Sequence, residues 1–296
     1  MTVPQESYLN GRAELGKHCL ELLQGTPGAK RILSHVFWEN FWCNEKGTPQ
    51  TLFYDAPLAK KQNVQSFDTY GAPLIEKKGN FSRLCVTANW VLEMGNFDGL
   101  DSWFGALSGK TRKKLRWLRN ALPKENISIV PVDSEERFRL FEKLYSSQFP
   151  KYSPGCEDNN GVWKIYQELE KQQRNFSFLL LDAQGNPVAA NLGYINGSSF
   201  NFTHLTRTAS SLDKFSPGFY LTYWLIQELF TTHPEVKCFF MGPGTYDYKP
   251  ALLGKPLPVY RYVKNSLFNL PELLRLRWRY QKELHRFKEQ SSAPNR

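Results

Sequence analysis

The segment from Phe176 to Met241 has the most regular pattern in the chain, and it therefore limits the possible folds most strongly. Its first part contains three apolar runs separated by turn residues: FSFLLLD, VAANLGYI and SFNFTHLTR. The dipeptide Asn196-Gly197, between the second and third runs, predicts a two-residue type I′ hairpin turn. Three such runs joined by tight turns predict an antiparallel meander of three strands.

After the meander, the sequence predicts a helix that crosses over to a parallel strand. The polar stretch SSLDKFSPG is followed by FYLTYWLIQELF, which is apolar on nearly every side and therefore predicts a buried helix, and then by the strand VKCFFMG. A strand that follows a crossover helix in the same sheet usually runs parallel to the strand before that helix. The order predicts an α/β fold class with a mixed sheet.

The composition describes a folded, basic protein. Hydrophobic residues make up 41% of the 296 residues, which excludes a disordered chain, and 38 Lys and Arg against 28 Asp and Glu give a net charge of +10. This charge favours polyanionic partners. The N-terminal sequence lacks a secretory signal, no apolar run is long enough to span a membrane, and the five cysteines form no disulfide framework. We therefore expect a cytoplasmic protein.

A strongly basic helix is predicted from about Lys110 to Leu122. Leu115, Leu118 and Leu122 follow helical spacing and predict one buried stripe. The remaining positions carry no acidic residue but six positive charges: Lys110, Arg112, Lys113, Lys114, Arg116 and Arg119. Like charges one turn apart repel each other, so an anionic partner such as phosphate would stabilise this face. An ordinary solvated basic face remains the alternative.

Weaker patterns surround these segments. Short aromatic and β-branched runs predict strands between about residues 31 and 95, and the strand ISIVPV precedes predicted helices at 134–149 and 161–172. VYRYVKNS predicts a last strand, and a final basic helix begins at Pro271. The apolar residues of that helix do not form one stripe, so we expect no membrane contact.

Four segments, in this order, resemble the GNAT-like acyltransferase family of the cellulose-biosynthesis CelD/BcsL type, which is related to the FemAB/FemX aminoacyltransferases. They are KTRKKLRWLRNAL, LLLDAQGNPVAANLGY, FSPGFYLTYWLIQEL and FFMGPGTYDYKPAL. The resemblance covers roughly residues 105–255. It implies a GNAT-type fold with a degenerate GNAT-like lobe at 1–105, an acyltransferase lobe at 106–270 and a basic helix and tail at 271–296.

The resemblance also implies a reaction. An acyl or aminoacyl group would pass directly from a carrier to a small-molecule amine, without a metal or a tightly bound cofactor. The carrier would be acyl-CoA as cosubstrate, an acyl carrier protein or an aminoacyl-tRNA. The rival hypothesis, motivated by the basic helices, is a non-catalytic nucleic-acid-binding module on a GNAT-like scaffold.

In this family the donor's phosphates lie at the N-terminus of the helix after the meander, where free N–H groups and the helix dipole favour anions. The corresponding donor-binding residues would be Lys214, Ser216, Gly218, Phe219 and Tyr220. The alternative is an ordinary helix start, with Ser216 as N-cap and Pro217 in the first turn. The family's coenzyme A loop has Arg or Gln where Phe215 stands and a small residue where Tyr220 stands. We expect Tyr220 to crowd a pyrophosphate, which favours a carrier protein or tRNA.

The basic helix suits either of these larger carriers. Its expected carrier contacts are Arg112, Lys113, Arg116 and Arg119.

Direct aminolysis needs a base for the amine and an acid for the leaving group. His204, on the third meander strand, is the candidate base; by strand alternation it shares a face with Phe200 and Phe202 unless a bulge changes the parity. Tyr246, Tyr248 and Lys249 follow the parallel strand and match the family's Tyr-Lys grouping. The alternatives are a histidine packed among aromatic side chains and a surface loop.

Other chemistries lack their motifs. The five histidines are scattered and no HExxH sequence occurs, so we expect no metal site. The sequence also contains neither a GxxxxGK[ST] phosphate loop nor a GxSxG nucleophile elbow.

Overall fold

The computed structural model describes the chain continuously over residues 81–149, 156–243 and 246–264. It also describes strands at 42–43, 49–50, 64–68 and 75–78, and residues 15, 18, 19, 21–24, 270, 271, 274, 275 and 278. Most of the predicted N-terminal lobe and most of the predicted final helix lie outside these residues.

The strands in chain order are β1 (Trp42–Cys43), β2 (Pro49–Gln50), β3 (Val64–Asp68), β4 (Ile75–Lys78), β5 (Phe81–Glu93), β6 (Ser128–Pro131), β7 (Phe178–Leu181), β8 (Pro187–Asn196), β9 (Ser199–Arg207), β10 (Cys238–Pro243) and β11 (Lys255–Lys264). The α-helices described between residues 81 and 264 are α1 (Leu100–Ala106), α2 (Gly109–Ala121), α3 (Glu135–Gln148), α4 (Cys156–Lys171), α5 (Pro217–Thr232) and α6 (Tyr248–Ala251).

Nine strands form one mixed sheet in the order β3-β11-β5-β10-β9-β8-β7-β6, with β4 paired to β5; β1 and β2 form a separate pair. β10 runs parallel to β9, and the other pairings of the described strands are antiparallel. The helix α5 connects β9 to β10. The meander, the crossover helix and the parallel strand are therefore confirmed, and with them the GNAT-type α/β fold.

Helices cover both faces of the sheet, so the described residues form two hydrophobic cores. The first core packs α1, α2 and α5 against one face, and Leu115, Leu118 and Leu122 are fully buried in it, as their spacing predicts. The second core packs α3 and α4 against the other face. None of the helices in the described part of the chain combines the length and apolar composition needed to span a bilayer.

The hairpin between β8 and β9 has a different turn from the one predicted. Asn196 pairs with Ser199, so Gly197 and Ser198 form the two-residue loop. Gly197 has φ +54°, whereas Ser198 is not among the residues with positive φ. A type I′ turn needs positive φ at both central residues, so one positive φ at the first is the type II′ pattern.

The predicted lobe boundary at residue 105 lies within α1. Trp90, Leu92 and Trp103, from before the boundary, are buried in the first core with α2 and α5. The second half of β5 and α1 thus share a hydrophobic core with α2 and α5, and the division into lobes at residue 105 stays a prediction. A GNAT-like origin for the residues before them stays a prediction.

Candidate active site

β9 and β10 pair over only a short distance. Parallel pairing joins Cys238 to Ser199 and ends where Phe240 pairs with Asn201, whereas β9 continues to Arg207. β10 bulges after Phe240, and Gly242 has φ +74°; a Cβ atom built on it would lie 3.2 Å from the carbonyl oxygen of Phe202. Only glycine adopts this conformation readily at such a close approach. The parallel pairing of β9 with β10 therefore ends at Asn201 and Phe240, before the end of β9 that leads to α5.

The α5 entry turn, which we define as residues 214–219, leads from β9 into the crossover helix. Ser216 adopts the left-handed conformation with φ +51°, and its side chain makes no capping hydrogen bond to the first turn. The N–H of Tyr220 donates to the carbonyl of Ser216 at 3.1 Å. Pro217 has no N–H, so the first-turn donors that lack a capping side chain are those of Gly218 and Phe219. Such an uncapped helix end attracts anions.

Lys114 connects the basic helix to this turn. Its ammonium nitrogen lies 3.3 Å from the hydroxyl oxygen of Ser216 and 4.7 Å from the ring centroid of Phe219. The basic face of α2 and the α5 entry turn therefore adjoin. The predicted carrier contacts omit Lys114. The available signal is its position directly before the buried Leu115, which puts it at the edge of the buried stripe.

Two other cations of α2 contact α1 and not this turn. Arg112 is half-buried and donates to the carbonyl of Gly105, and Arg116 lies over the ring of Phe104, so both contact α1. Lys113 and Arg119 are exposed. Among the ion pairs of the described residues, none includes a side chain of α2. The positive charge of this helix is thus uncompensated by carboxylates in this part of the protein.

Lys214 and Gly218 complete the turn. The Lys214 ammonium lies 3.5 Å from a carboxylate oxygen of Glu125 and 4.6 Å from the ring centroid of Phe215. A Cβ atom at Gly218 would lie 3.8 Å from Leu205, which is an ordinary contact. The backbone of α5 therefore packs closely on the end of β9, with room for a methyl group.

Tyr220 does not crowd the turn, contrary to our expectation. Its side chain is 7% exposed and packs in the first core beside Tyr223, and burial raises its pKa. Its N–H is occupied by Ser216 within the helix. Because a residue in the first helical turn can point toward the core, its size alone does not predict a steric conflict. The main objection to coenzyme A at this turn is therefore removed.

A β-bulge at Thr203 decides where His204 points. Leu192 on β8 pairs with His204, but the next residue, Gly193, pairs with Phe202, so Thr203 is the extra residue. The bulge changes the alternation of side chains along β9. Phe202 lies in the first core, whereas His204 packs edge-on against rings of α3 on the opposite face, so the alternative with a bulge applies and the two residues do not share a face.

The surroundings of His204 determine its tautomer. The ring is 7% exposed, and its centroid lies 6.0 Å from that of Phe141 and 5.2 Å from that of Tyr145. Its Nδ1 lies 3.0 Å from the hydroxyl of Thr203, which donates to the carbonyl of Leu192 at 2.9 Å. A hydroxyl has one proton, so Thr203 accepts from His204. The neutral imidazole therefore carries its proton on Nδ1 and its basic lone pair on Nε2.

The end of α3 is fastened to the end of β9 near this histidine. The side-chain oxygen of Gln148 accepts from the hydroxyl of Thr206 at 2.8 Å and from the N–H of Arg207 at 2.7 Å. These bonds hold α3, with Tyr145, against the strand that carries His204.

Tyr246, Tyr248 and Lys249 form a cluster after β10. Lys249 is 1% exposed, and its ammonium group donates to the carbonyl of Gly242 at 2.8 Å and lies 5.4 Å from the ring centroid of Tyr246. Tyr246 is 57% exposed and stacks on Tyr248, whose pKa is raised by burial. This is a folded cluster with one exposed aromatic ring, not a loop directed entirely to solvent.

The structure thus arranges the predicted site residues in three groups: the α5 entry turn with α2, His204 with the rings of α3, and the cluster of tyrosines and Lys249 after β10. The α5 entry turn adjoins the basic helix through Lys114. Tyr248 packs against the first core, whereas the rings around His204 belong to the second, so these two residues lie on different faces of the sheet. Among the described residues, no group of three or more His, Cys, Asp or Glu side chains is arranged to hold a metal ion.

Comparison with known protein families assigns the central part of the chain. Residues 109–250 match the family model described as Acetyltransferase (GNAT) domain, which is just under half of the chain. The match begins at the first residue of α2 and ends in α6, so it includes the basic helix, the α5 entry turn and Lys249. This segment is therefore similar to a GNAT acetyltransferase domain. No curated protein matches the sequence.

Solved structures give more distant likenesses. L-PGS from Bacillus licheniformis has a TM-score of 0.44 and 15% identity over 67% of this chain and 65% of that one. FemX has a TM-score of 0.47 and 11% identity over 62% of this chain and 63% of that one. The C-terminal domain (DUF2156) of a putative lysylphosphatidylglycerol synthetase from Agrobacterium fabrum has a TM-score of 0.47 and 11% identity over 66% of this chain and 65% of that one. The matched part of this chain spans just under two thirds of the length of each of these three proteins. Likenesses this distant do not identify what the chain binds.

Proposed function

We propose that this protein transfers an acyl or aminoacyl group from a phosphate-bearing carrier to an amine. The observation that carries the proposal is the contact of Lys114 with Ser216 at the uncapped start of α5, which packs on the end of β9. Two backbone N–H groups, a helix dipole and an ammonium group converge there, which is the chemistry that binds phosphate. The GNAT domain match supports acyl transfer as the reaction.

In the proposed reaction, the amine nitrogen attacks the thioester or ester carbonyl and a C–N bond forms. The C–S or C–O bond then breaks, the amine proton passes to a base, and the leaving thiolate or alkoxide takes a proton from an acid. His204 is the proposed base, and because it and Tyr248 lie on different faces of the sheet, the proposal requires the amine and the leaving group to reach the reacting carbonyl from opposite sides. The Tyr248 phenol, which is protonated at neutral pH and follows β10, is the proposed acid.

The donor, the acceptor and the cytoplasmic location are parts of this proposal, as is membership of the CelD/BcsL-type family. Acyl-CoA is the donor we favour, because Tyr220 leaves the turn open for a pyrophosphate. The carrier-contact role of Arg112, Lys113, Arg116 and Arg119 remains a prediction. The uncompensated charge of α2 equally supports the rival function, nucleic-acid binding without catalysis.

The test compares two lysines on the same helix. We expect Lys114→Ala to weaken the binding of acetyl-CoA, measured by calorimetry, by about tenfold or more, because a charge-assisted hydrogen bond to phosphate is lost. Lys110→Ala is the matched control, since Lys110 is also exposed, lies one turn earlier and is expected to leave the affinity nearly unchanged.

The same titrations with acyl carrier protein and aminoacyl-tRNA identify the carrier, and the release of the free carrier with a panel of amines measures turnover. Equal affinity of wild-type protein and Lys114→Ala for every carrier contradicts the phosphate site. Salt-dependent RNA binding without turnover of any donor establishes the rival function instead.

A further inference from the structure

Trp117 presents a flat aromatic surface to solvent. Its side chain is 47% exposed, and its ring stacks on Phe215 at a centroid distance of 5.3 Å and an interplanar angle of 27°. Phe215 itself is 3% exposed and belongs to the first core. A buried ring therefore supports one face of the indole, and a large part of the indole stays accessible to a ligand.

Cations surround this surface. Lys113 and Lys114 precede Trp117 by four and three residues on α2, which makes them its neighbours on the helix surface. The Lys214 ammonium lies over Phe215, the ring on which Trp117 stacks. An exposed indole among three lysines is a poor site for an apolar peptide or an acyl chain, because either would desolvate the ammonium groups.

The position of the indole relative to the α5 entry turn indicates the ligand. Phe215 directly precedes Ser216, and Lys114 contacts Ser216 from the same side of α2 as Trp117. A ligand that has a phosphate at the turn and a planar ring beside it would meet both features. Stacking on aromatic side chains next to a positive surface is the common mode of nucleotide and single-strand recognition.

We propose that Trp117 stacks on the adenine base of the acyl carrier. Coenzyme A and the 3′ end of tRNA share this chemistry, since both place an adenosine next to a phosphate, whereas the phosphopantetheine arm of a carrier protein has no base. The inference rests on the proposed phosphate site at the α5 entry turn. It goes beyond that proposal because it selects a nucleotide carrier over a carrier protein.

The test uses ligands with and without the base. We expect Trp117→Ala to weaken the binding of coenzyme A about tenfold and to leave 4′-phosphopantetheine, which lacks the adenosine, unchanged. Trp117→Phe keeps a ring for stacking and should retain most of the affinity. It also removes the indole, and with it the part of the tryptophan fluorescence that coenzyme A quenches. Melting temperatures verify that each variant is folded.

A trinucleotide RNA of sequence CCA, compared with CCU, identifies the source of the adenosine. If Trp117→Ala lowers the affinity for coenzyme A alone, the carrier is acyl-CoA. If it lowers the affinity for CCA alone, the carrier is tRNA. Either result supports the inference. Unchanged affinity for both ligands, or an equal loss with 4′-phosphopantetheine, overturns it. Lys114→Ala tests the phosphate site separately, because it should weaken coenzyme A and 4′-phosphopantetheine together.

Discussion

The ammonium group of Lys249 donates a hydrogen bond of 2.8 Å to the carbonyl of Gly242, so a fully buried lysine is attached to the bulge at the end of β10. Removing an ammonium group from water costs several kcal/mol even when it is hydrogen-bonded. The same charge lies beneath the ring of Tyr246. Lys249 therefore links the bulge, where the pairing of β9 with β10 has ended, to the segment that contains Tyr246 and Tyr248.

Lys249→Met should reduce turnover while the protein stays folded. Methionine fills a similar volume and removes a desolvated charge, so we expect the melting temperature to change by only a few degrees. We expect kcat to fall about tenfold or more, because Tyr246 and the bulge lose their common anchor. Lys255→Met is the control, since Lys255 is exposed and pairs with Glu93. Wild-type kcat in Lys249→Met would show that the buried charge has no part in the reaction.

Thr203→Val tests whether the bulge controls the histidine. Valine has nearly the same shape but no hydroxyl, so the bonds from Tyr166 (2.7 Å) and from His204 Nδ1 are lost. We expect a stability loss of about 1–3 kcal/mol for the buried phenol left without its partner. Nitrogen-15 spectra should show an Nδ1-protonated His204 in the wild-type protein and a mixture of tautomers in the variant, with a lower kcat.

Thr203→Ser is the matched control, because it keeps the hydroxyl and loses only a methyl group. It should preserve both the tautomer and most of the turnover. If Thr203→Val and Thr203→Ser lower kcat equally, the hydroxyl does not act through the histidine.

The meander, the crossover helix and the buried stripe of α2 could be predicted because each depends on a local period in the sequence. The direction in which the His204 side chain points could not be predicted in this way. The bulge at Thr203 arises from the register between β8 and β9; an isolated glycine within a strand, such as Gly193, is compatible with a bulge but does not show which residue of the partner strand is the extra one. Similarly, helical spacing indicates that Lys114 lies beside the buried stripe, but only the packing of α5 shows which side faces Ser216.

Gly193→Ala should destabilise the sheet next to that bulge. A Cβ atom at Gly193 would lie 2.5 Å from Cζ of Phe200, whose ring is fully buried and packs against Phe176 and Phe239, so it has little freedom to move away. We expect the free energy of unfolding, measured in urea, to fall by about 1–3 kcal/mol.

Gly105→Ala, in α1, is the contrasting substitution. A Cβ atom there has no atom within 4 Å, and alanine favours helices, so this variant should be as stable as the wild-type protein or more stable by up to about 1 kcal/mol. Equal unfolding free energies for the two variants would mean that the space around Gly193 is not restricted by Phe200.

Cys238 should make the stability of the protein depend on pH in the alkaline range. Burial, with a smaller contribution from the charge of Glu93, raises the pKa of its thiol from 9.0 to about 11. Between these values the unfolded chain releases the thiol proton while the native protein retains it. Because the native state then binds more protons, the free energy of unfolding falls as pH rises from about 9 to 11, and the contribution is fully present below pH 9.

The measurement is urea unfolding of the wild-type protein and of Cys238→Ala at several pH values from 8 to 11. Other buried groups titrate in this range in both proteins, so the informative quantity is the difference between the two free energies of unfolding. Cys238→Ala lacks the thiol and should therefore lose less stability than the wild-type protein as the pH rises. The free energies of unfolding of the two proteins should thus become more similar. A difference that stays constant from pH 8 to 11 would show that the Cys238 thiol titrates alike in the folded and unfolded chains.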